Sequence, residues 1–198
     1  MLPRRQSFLF IDESCILNTL RHRYPADYSS LNKMNPEIAV IALGSNLGDS
    51  GKMLQDAFSR LQEYSAAPLL KASLWQTTPV DCPPDSPAFL NTVVLLAPLP
   101  GETPESLLGK LQALEIEFGR RPKVIHNEPR PLDLDLILFG QEIRRMEKLT
   151  LPHPRAHLRR FVLQPLNEIA PDLIFPGQKQ TVAALLAALP VDEQITRL

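Results

Sequence analysis

The first part of the chain combines a short apolar run with a longer segment in which apolar residues recur at helical spacing. Residues 38–43 form a continuous apolar run that ends in the polar turn 44–49, a pattern typical of a buried strand. Asp49 or Ser50 can cap the helix that follows, and its apolar face consists of Met53, Leu54, Ala57, Phe58 and Leu61. The sequence therefore predicts a strand, a tight turn and an amphipathic helix.

Two further strands are predicted on either side of a Pro-rich segment. Residues 71–77 and 89–97 have strand patterns, and residues 78–87 between them are predicted to be an irregular loop. Side chains alternate along a strand, so one face of the later strand carries Phe89, Asn91, Val93 and Leu95. Asn91 is polar among apolar neighbours, and its amide either satisfies loop backbone or anchors a flat heterocycle.

A second helix and a last long strand complete the pattern. Thr103 before Pro104, with Gly119 just past the end, marks the helix, and its buried stripe is Leu107, Leu111, Leu114 and Phe118. Residues 132–138 form the strand, and Gly140 begins a turn into a short strand. The order β-α-β-β-α-β predicts a ferredoxin-like α+β fold, a single domain in which helices pack on an antiparallel sheet.

The last long strand carries two carboxylates, Asp133 and Asp135, inside an apolar run. Alternation places both on one face and Leu132, Leu134, Leu136 and Leu138 on the other. Two like charges on one surface repel unless a cation lies between them, and carboxylate oxygens suit Mg²⁺. The pattern is equally compatible with a half-buried edge strand that has a solvated acidic face.

Charge is segregated along the chain. Residues 119–161 contain ten Lys and Arg against five Asp and Glu, whereas the remainder contains 11 basic and 17 acidic residues. A pI near 6.4 argues against a long nucleic acid as the partner. A compact polyphosphate such as ATP fits a local cluster better, because Arg forks bind phosphate oxygens while Mg²⁺ bridges them.

Length and composition predict an ordinary globular domain. The 198 residues are 44% hydrophobic and 22% charged, and Cys15 and Cys82 are isolated thiols. The longest apolar runs, such as 183–191, are too short to cross a bilayer, and the N-terminus does not have a secretory pattern. We expect a cytoplasmic protein. We expect residues 1–34 to be a loosely ordered extension, or translation to begin at Met34, and residues 35–198 to form the functional domain. An ordinary extra helix near residues 14–22 is the alternative.

Several short motifs in a fixed order resemble the 6-hydroxymethyl-7,8-dihydropterin pyrophosphokinase family, the ATP-dependent enzymes of folate synthesis. The resemblance extends from about Ile38 to Pro176. It is carried by residues 42–49, 89–91, 119–120, 129–135, 149–155, 159–163, 165–166 and 169–171. Each motif is weak alone, and their order and spacing together are specific. The family implies transfer of a diphosphoryl group from ATP to the pterin hydroxymethyl oxygen, with release of AMP.

The resemblance also implies roles for residues around ATP. Asp133 and Asp135 would hold two Mg²⁺ ions, and Arg120 and Arg130 would be the catalytic residues that stabilise charge on the phosphates. The remaining residues assigned to ATP are Glu115, Lys148, Thr150, His153 and Arg159. Glu115 lies near the C-terminal end of its helix, where an acid is unfavourable to the dipole, and could face the basic site.

On the pterin side, the family implies that Asn91 pairs with the edge of the heterocycle and Phe161 stacks on its face. Thr77, Val80 and Phe89 complete the predicted pterin site. For Phe161 a role in the core is the alternative, because Val162 and Leu163 follow directly. The implied partners are small molecules only, without nucleic acid or membrane, and we expect a monomer.

Four positions depart from the family pattern. Asn127 replaces a common Trp, Glu128 a small residue and Asp81 a Gly, and Pro122 interrupts the cationic loop. These changes concern loop closure and affinity more than chemistry.

Two other functions remain compatible with the residues. A metal-dependent phosphohydrolase or nucleotidyltransferase could use the same two aspartates, but it offers no role for Asn91 and Phe161. A catalytically silent nucleotide-binding module would be expected to have lost at least one of Asp133, Asp135, Arg120 and Arg130, and all four are present.

Overall fold

The computed structural model describes residues 38–78, 86–121, 129–190 and 194–198. The prediction for residues 1–34 lies outside them. The described residues form a six-stranded antiparallel sheet. Its strands run in the order β5 (Asp133–Phe139), β1 (Ala39–Ser45), β4 (Phe89–Leu96), β3 (Trp75–Thr77) and β8 (Ile195–Arg197), and β2 (Leu70–Lys71) also pairs with β4. Helices pack on both faces. The predicted α+β architecture of a single domain is confirmed.

The first strand and helix form where the sequence predicts them. Strand β1 (Ala39–Ser45) is buried along its whole length, as expected for a strand with neighbours on both sides. Helix α1 (Ser50–Gln62) is capped by Asp49, whose carboxylate accepts a hydrogen bond of 3.0 Å from the Lys52 N–H. The turn between them therefore has a fixed geometry.

The predicted strand at 71–77 is two short strands. Strands β2 (Leu70–Lys71) and β3 (Trp75–Thr77) are separated by residues 72–74, and both pair with β4 (Phe89–Leu96). The face predicted for β4 is confirmed, since Val93 and Leu95 pack in the same apolar cluster.

Helix α2 (Pro104–Glu117) has the predicted ends. The Thr103 hydroxyl accepts a hydrogen bond of 3.1 Å from the Ser106 N–H, and the Ser106 hydroxyl in turn accepts one of 2.9 Å from the Thr103 N–H. Gly119 has φ +89° just past the helix, a conformation that favours glycine. This reversal brings the chain back toward β5.

Strand β5 (Asp133–Phe139) corrects one detail of the predicted alternation. Its pairing with β1 shifts register between Val40 and Ile41, so that Val40 faces Leu138 but Ile41 faces Leu136. The extra residue is a β-bulge, which reverses the faces beyond it. Leu132, Leu134 and Leu136 pack in one apolar cluster as predicted, but Leu138 packs in the other.

Two apolar layers sandwich the sheet. Helices α1 and α2 cover the face that carries Ile41, Leu134 and Leu136. Helices α3 (Arg160–Ile169) and α4 (Val182–Ala188) cover part of the face that carries Val40 and Val93. Alternation places the side chains of Asp133 and Asp135 on this second face, near the start of α3.

The remaining strands lie at the margins. Strands β6 (Arg144–Arg145) and β7 (Thr150–Leu151) form a separate antiparallel pair, and a 3₁₀ turn, Ala156–Leu158, leads into α3. Strand β8 (Ile195–Arg197) pairs with β3 and was not predicted. None of the described helices is both long and apolar enough to cross a membrane.

Candidate active site

Three neighbouring strands place a carboxylate, a glycine and an amide in one row. Gly44 on β1 pairs with Asp133 on β5 and with Asn91 on β4. Residues paired in this way have side chains on the same face. A Cβ atom at Gly44 would lie 3.0 Å from Oδ1 of Asn91 and 3.9 Å from Cβ of Asp133. The glycine thus leaves room between the predicted metal ligand and the predicted pterin ligand.

Asp133 is held by two arginines. Arg120 Nη1 donates to its Oδ1 at 2.9 Å, and Arg130 Nη1 lies 3.2 Å from its Oδ2. All three side chains are largely shielded from solvent, with 15–25% of their surface exposed. The two predicted catalytic arginines are therefore brought to one carboxylate.

Asp135 lies one row further along the same face and has a cation of its own. Its Oδ2 is 3.5 Å from Nη1 of Arg159. Burial raises the pKa of Asp135, and the neighbouring charge of Asp133 raises it further, against the lowering effect of His153 and Arg159. An additional cation at this position would therefore be favoured.

Glu115 supports the site from beneath. Its carboxylate accepts a hydrogen bond of 2.8 Å from the backbone N–H of Leu134, the residue between the two aspartates, and another from the Arg120 guanidinium. Glu115 is only 6% exposed. Burial raises its pKa to about 7, although the Leu134 hydrogen bond and the charge of Arg120 both lower it.

The bulge in β5 positions His153. The backbone carbonyl of Ile137, the extra residue of the bulge, accepts a hydrogen bond of 2.8 Å from the His153 N–H. Nδ1 of the imidazole accepts one of 3.3 Å from the Arg155 N–H. Burial, the largest effect, lowers the pKa of His153. Because Nδ1 accepts a hydrogen bond, Nε2 is the ring atom left to donate one.

Each predicted aromatic contact of the pterin lies beneath an arginine. The Arg130 guanidinium is 5.9 Å from the centre of the Phe89 ring, and that of Arg159 is 5.4 Å from the centre of the Phe161 ring. Because these arginines also contact Asp133 and Asp135, the two halves of the site share residues. Phe161 is partly buried and also packs against the apolar cluster of α3 and α4.

Asn91 is buried and bonds to a second predicted pterin ligand. It is 6% exposed, and its Nδ2 donates to the Thr77 hydroxyl at 2.7 Å. This contact orients the amide toward the space above Gly44. Thr77 and Asn91, both predicted as pterin ligands, thus lie together.

The comparison with protein families agrees with this geometry. The model for 7,8-dihydro-6-hydroxymethylpterin-pyrophosphokinase (HPPK) matches residues 40–171. The chain belongs to the HPPK family. The family predicted from the sequence motifs is confirmed, and the matched region contains every predicted site residue. HPPK family members are pyrophosphokinase enzymes.

Curated HPPK relatives differ in length. The 2-amino-4-hydroxy-6-hydroxymethyldihydropteridine pyrophosphokinase of Pseudomonas aeruginosa is 40% identical over 161 residues, which cover 80% of this chain and 94% of that protein. The folic acid synthesis protein fol1 of Pneumocystis carinii is 37% identical over 166 residues, 84% of this chain. The chain spans only 22% of the length of that fungal protein.

Solved structures show the same fold. The Plasmodium falciparum HPPK-DHPS structure has a TM-score of 0.59 at 15% identity, and the match covers 77% of this chain and 44% of that one. A second HPPK-DHPS structure, described as a complex with substrates, has a TM-score of 0.59 at 12% identity and covers 77% and 43%. At these identities the likeness concerns the fold alone.

The remaining predicted site residues either have no described contact with the aspartates or lie outside the described residues. Lys148 and Thr150 are exposed on the β6–β7 hairpin, and none of the described ion pairs or hydrogen bonds joins them to the aspartates. Val80 lies outside the described residues, as do the four departures at Asp81, Pro122, Asn127 and Glu128. Their roles stay predictions.

Sequence reasoning assigned no role to Asn46, although its motif was recognised. This residue is 3% exposed in the turn after β1, and it contacts the backbone of both Arg130 and Pro87. The only signal in the sequence was an amide in a Gly-Ser-Asn turn, and such residues commonly bond locally. Its partners are 84 and 41 residues away.

Proposed function

We propose that the chain catalyses Mg²⁺-dependent transfer of the diphosphoryl group of ATP to 6-hydroxymethyl-7,8-dihydropterin, with release of AMP, in folate biosynthesis. The observation that carries the proposal is the row formed by Asp133, Gly44 and Asn91. This row places a charged half of the site, suited to a nucleotide with its metal ion, beside a half suited to a flat polar heterocycle. The family of the chain and the names of its relatives support the same reaction.

The donor set fits magnesium. Asp133 and Asp135 point to the same face, and no group of three or more His, Cys, Asp and Glu residues arranged for a metal occurs among residues the structure describes. Mg²⁺ is commonly held by one or two carboxylates, with water and substrate phosphates as the other ligands. We therefore assign two Mg²⁺ ions to this pair. Bound there, they would neutralise negative charge on the phosphates of ATP.

Arginines and a histidine surround the place where the triphosphate would lie. Arg120 and Arg130 contact Asp133, and Arg159 contacts Asp135, so their positive charge is concentrated where phosphates would meet the metal ions. Planar guanidinium groups match phosphate oxygens in pairs. His153, whose Nδ1 accepts from the Arg155 N–H, would donate one hydrogen bond from Nε2 to the nucleotide.

The pterin would occupy the space above Gly44. The carboxamide oxygen and the second donor hydrogen of the Asn91 amide suit the edge of the heterocycle, and the Phe89 and Phe161 rings suit its faces. A hydrolase or nucleotidyltransferase with the same aspartates would leave these three side chains without a function. This difference favours the pterin reaction.

In the proposed reaction the pterin hydroxymethyl oxygen attacks the β-phosphorus of ATP. A bond forms between that oxygen and the β-phosphorus, the bond from the β-phosphorus to the bridging α-phosphate oxygen breaks, AMP leaves, and the hydroxyl proton is released. Arg120 and Arg130 would stabilise the charge that develops on the phosphates, an effect that is typically worth 100- to 1,000-fold or about 3–4 kcal/mol per donor. The other residues orient the two substrates.

The decisive experiment quantifies AMP and ADP after incubation with ATP, Mg²⁺ and 6-hydroxymethyl-7,8-dihydropterin. We expect AMP that depends on the pterin and disappears with chelator. Asp133→Asn and Asp135→Asn should each abolish this activity while the protein stays folded, as judged by circular dichroism. Glu147→Gln, an acid of the exposed β6–β7 hairpin, is the matched control and should be fully active. ADP or phosphate formed without pterin would instead identify a hydrolase.

A further inference from the structure

Asn46 makes three hydrogen bonds to other described residues from one buried position. Its backbone N–H donates to the Arg130 carbonyl at 3.2 Å, and its Oδ1 accepts from the Arg130 N–H at 2.8 Å. Its Nδ2 donates to the Pro87 carbonyl at 3.3 Å. A residue that is 3% exposed thus binds both polar backbone groups of Arg130 and one group of a second segment.

These partners lead directly into both halves of the site. Pro87 lies two residues before β4, which begins at Phe89, and Arg130 lies three residues before β5, which begins at Asp133. The Arg130 side chain then contacts Asp133 and lies over the Phe89 ring. The backbone position of Arg130 therefore determines where its guanidinium lies between the phosphate half and the pterin half of the site.

We propose that Asn46 is a positioning residue that sets Arg130 between Asp133 and Phe89. The inference rests on the proposed function and deepens it. Removal of the carboxamide would leave the Arg130 N–H and the Pro87 carbonyl without this partner, so both backbone segments could shift. A misplacement of about 1 Å can reduce a rate about 100-fold, so Asn46→Ala should lower kcat/KM by roughly 10- to 100-fold.

The chain offers a matched control in Gln62. Its carboxamide also joins two backbone groups, since Nε2 donates to the Ala67 carbonyl at 3.0 Å and Oε1 accepts from the Leu69 N–H at 3.1 Å. It lies at the end of α1 and contacts no predicted site residue through these bonds. Gln62→Ala should therefore lower the thermal midpoint without changing kcat/KM.

A double-mutant cycle with Arg130→Ala separates positioning from stability. Arg130→Ala keeps the backbone groups that bind Asn46 but removes the side chain through which Asn46 is proposed to act. In the Arg130→Ala background, the side chain through which Asn46 acts is already absent. Asn46→Ala should therefore lower kcat/KM by less than about threefold, since the effects of the two substitutions are not additive. Its effect on the thermal midpoint should be the same in both backgrounds. Asn46→Asp, which keeps the acceptor for the Arg130 N–H, replaces Asn46→Ala if the alanine variant does not fold.

Affinity for Mg²⁺-ATP is measured on the same four proteins by calorimetry, since it does not require turnover. We expect Asn46→Ala to weaken it several-fold in the wild-type background and not in the Arg130→Ala background. Equal losses in both backgrounds would overturn the assignment, as would a kinetic loss no larger than that of Gln62→Ala. If the wild-type chain does not form pterin-dependent AMP, the proposed reaction fails, and the calorimetric cycle still decides whether Asn46 acts through Arg130.

Discussion

The Glu115 carboxylate accepts a hydrogen bond of 2.8 Å from the backbone N–H of Leu134. Among the described strands, β5 is at the edge of the sheet and pairs with β1 alone, so its outward N–H groups have no partner in a described strand. Glu115 satisfies one of these groups at the point between Asp133 and Asp135 and also binds Arg120. A single buried carboxylate therefore joins the end of α2, the acidic strand and a predicted catalytic arginine.

Glu115→Gln should change how stability depends on pH. The pKa of Glu115 is raised from 4.5 to about 7. Between these values the folded protein holds a proton that the unfolded chain has released, so the free energy of unfolding falls as the pH rises toward 7. Glutamine keeps an acceptor for Leu134 and does not titrate. The thermal midpoint of the variant relative to wild type should therefore increase from pH 5 to pH 8.

The measurement is thermal unfolding without nucleotide or metal at constant ionic strength. Glu117→Gln is the control, because Glu117 is on the same helix with 51% of its side chain exposed and the substitution leaves the Glu115 carboxylate in place. Parallel profiles for Glu115→Gln and wild type would show that folding does not change the pKa of Glu115.

The structural features that depend on neighbouring residues were predicted from local sequence patterns. Alternation placed Asp133 and Asp135 on one face, and the Thr103 cap and Gly119 marked both ends of α2. These features follow from side-chain direction and backbone geometry over a few residues. The family motifs then predicted the HPPK family, which the family model confirms.

What the sequence did not predict depends on contacts between distant segments. The bulge at Ile137 arises from the pairing of β5 with β1, and Asn46 bonds residues 84 and 41 positions away. Glu115 looked only like an acid at an unfavourable helix end, because its partner Leu134 is 19 residues further on. Strand β8 is three residues long and forms because β3 offers a free edge.

Gly44→Ala should weaken pterin binding. The new Cβ would lie 3.0 Å from Oδ1 of Asn91, so the amide must move by a few tenths of an ångström. Such overpacking typically has a penalty of about 1–3 kcal/mol. Because the amide is held by the Thr77 hydroxyl, we expect the KM for pterin to rise about tenfold or more and the KM for ATP to change less. Steady-state kinetics with each substrate varied in turn would measure both.

Gly109→Ala is the matched control for this substitution. Gly109 is exposed on α2, and no atom lies within 4 Å of the position its Cβ would take. Alanine in a helix interior is favoured over glycine by roughly 0.5–1 kcal/mol, so this variant should be slightly more stable and kinetically unchanged. An unaltered KM for pterin in Gly44→Ala would exclude close contact between the pterin and the Gly44–Asn91 row.

Phe161→Leu tests whether this ring binds substrate or serves the core. Phe161 is only partly buried, and the Arg159 guanidinium lies over it. Leucine retains apolar volume but has no aromatic face, so the KM for pterin should rise about tenfold while stability falls by less than about 1.5 kcal/mol. Phe175→Leu, at a ring that is 2% exposed in the same cluster, should show the opposite pattern. Equal kinetic effects in the two variants would assign Phe161 to the core.

A cluster remote from the aspartates joins α3 to both β8 and the segment before β3. Glu168 on α3 accepts hydrogen bonds from the backbone N–H of Ser73 at 3.1 Å, from the Ser73 hydroxyl at 2.8 Å and from Arg197 at 2.9 Å. The side chain of Glu168 is 19% exposed and that of Arg197 is 60% exposed. Removal of the Glu168 carboxylate should therefore lower stability more than removal of the Arg197 cation.

We expect Glu168→Ala to lower the free energy of unfolding by about 1–3 kcal/mol, because the Ser73 N–H would be left without its acceptor. Arg197→Ala should lower it by less than about 1 kcal/mol, as is usual for exposed ion pairs, and leaves Glu168 bound to Ser73. Urea unfolding of both variants measures the difference. Equal losses would mean that the ion pair with β8, and not the bond to the Ser73 backbone, stabilises this corner of the sheet.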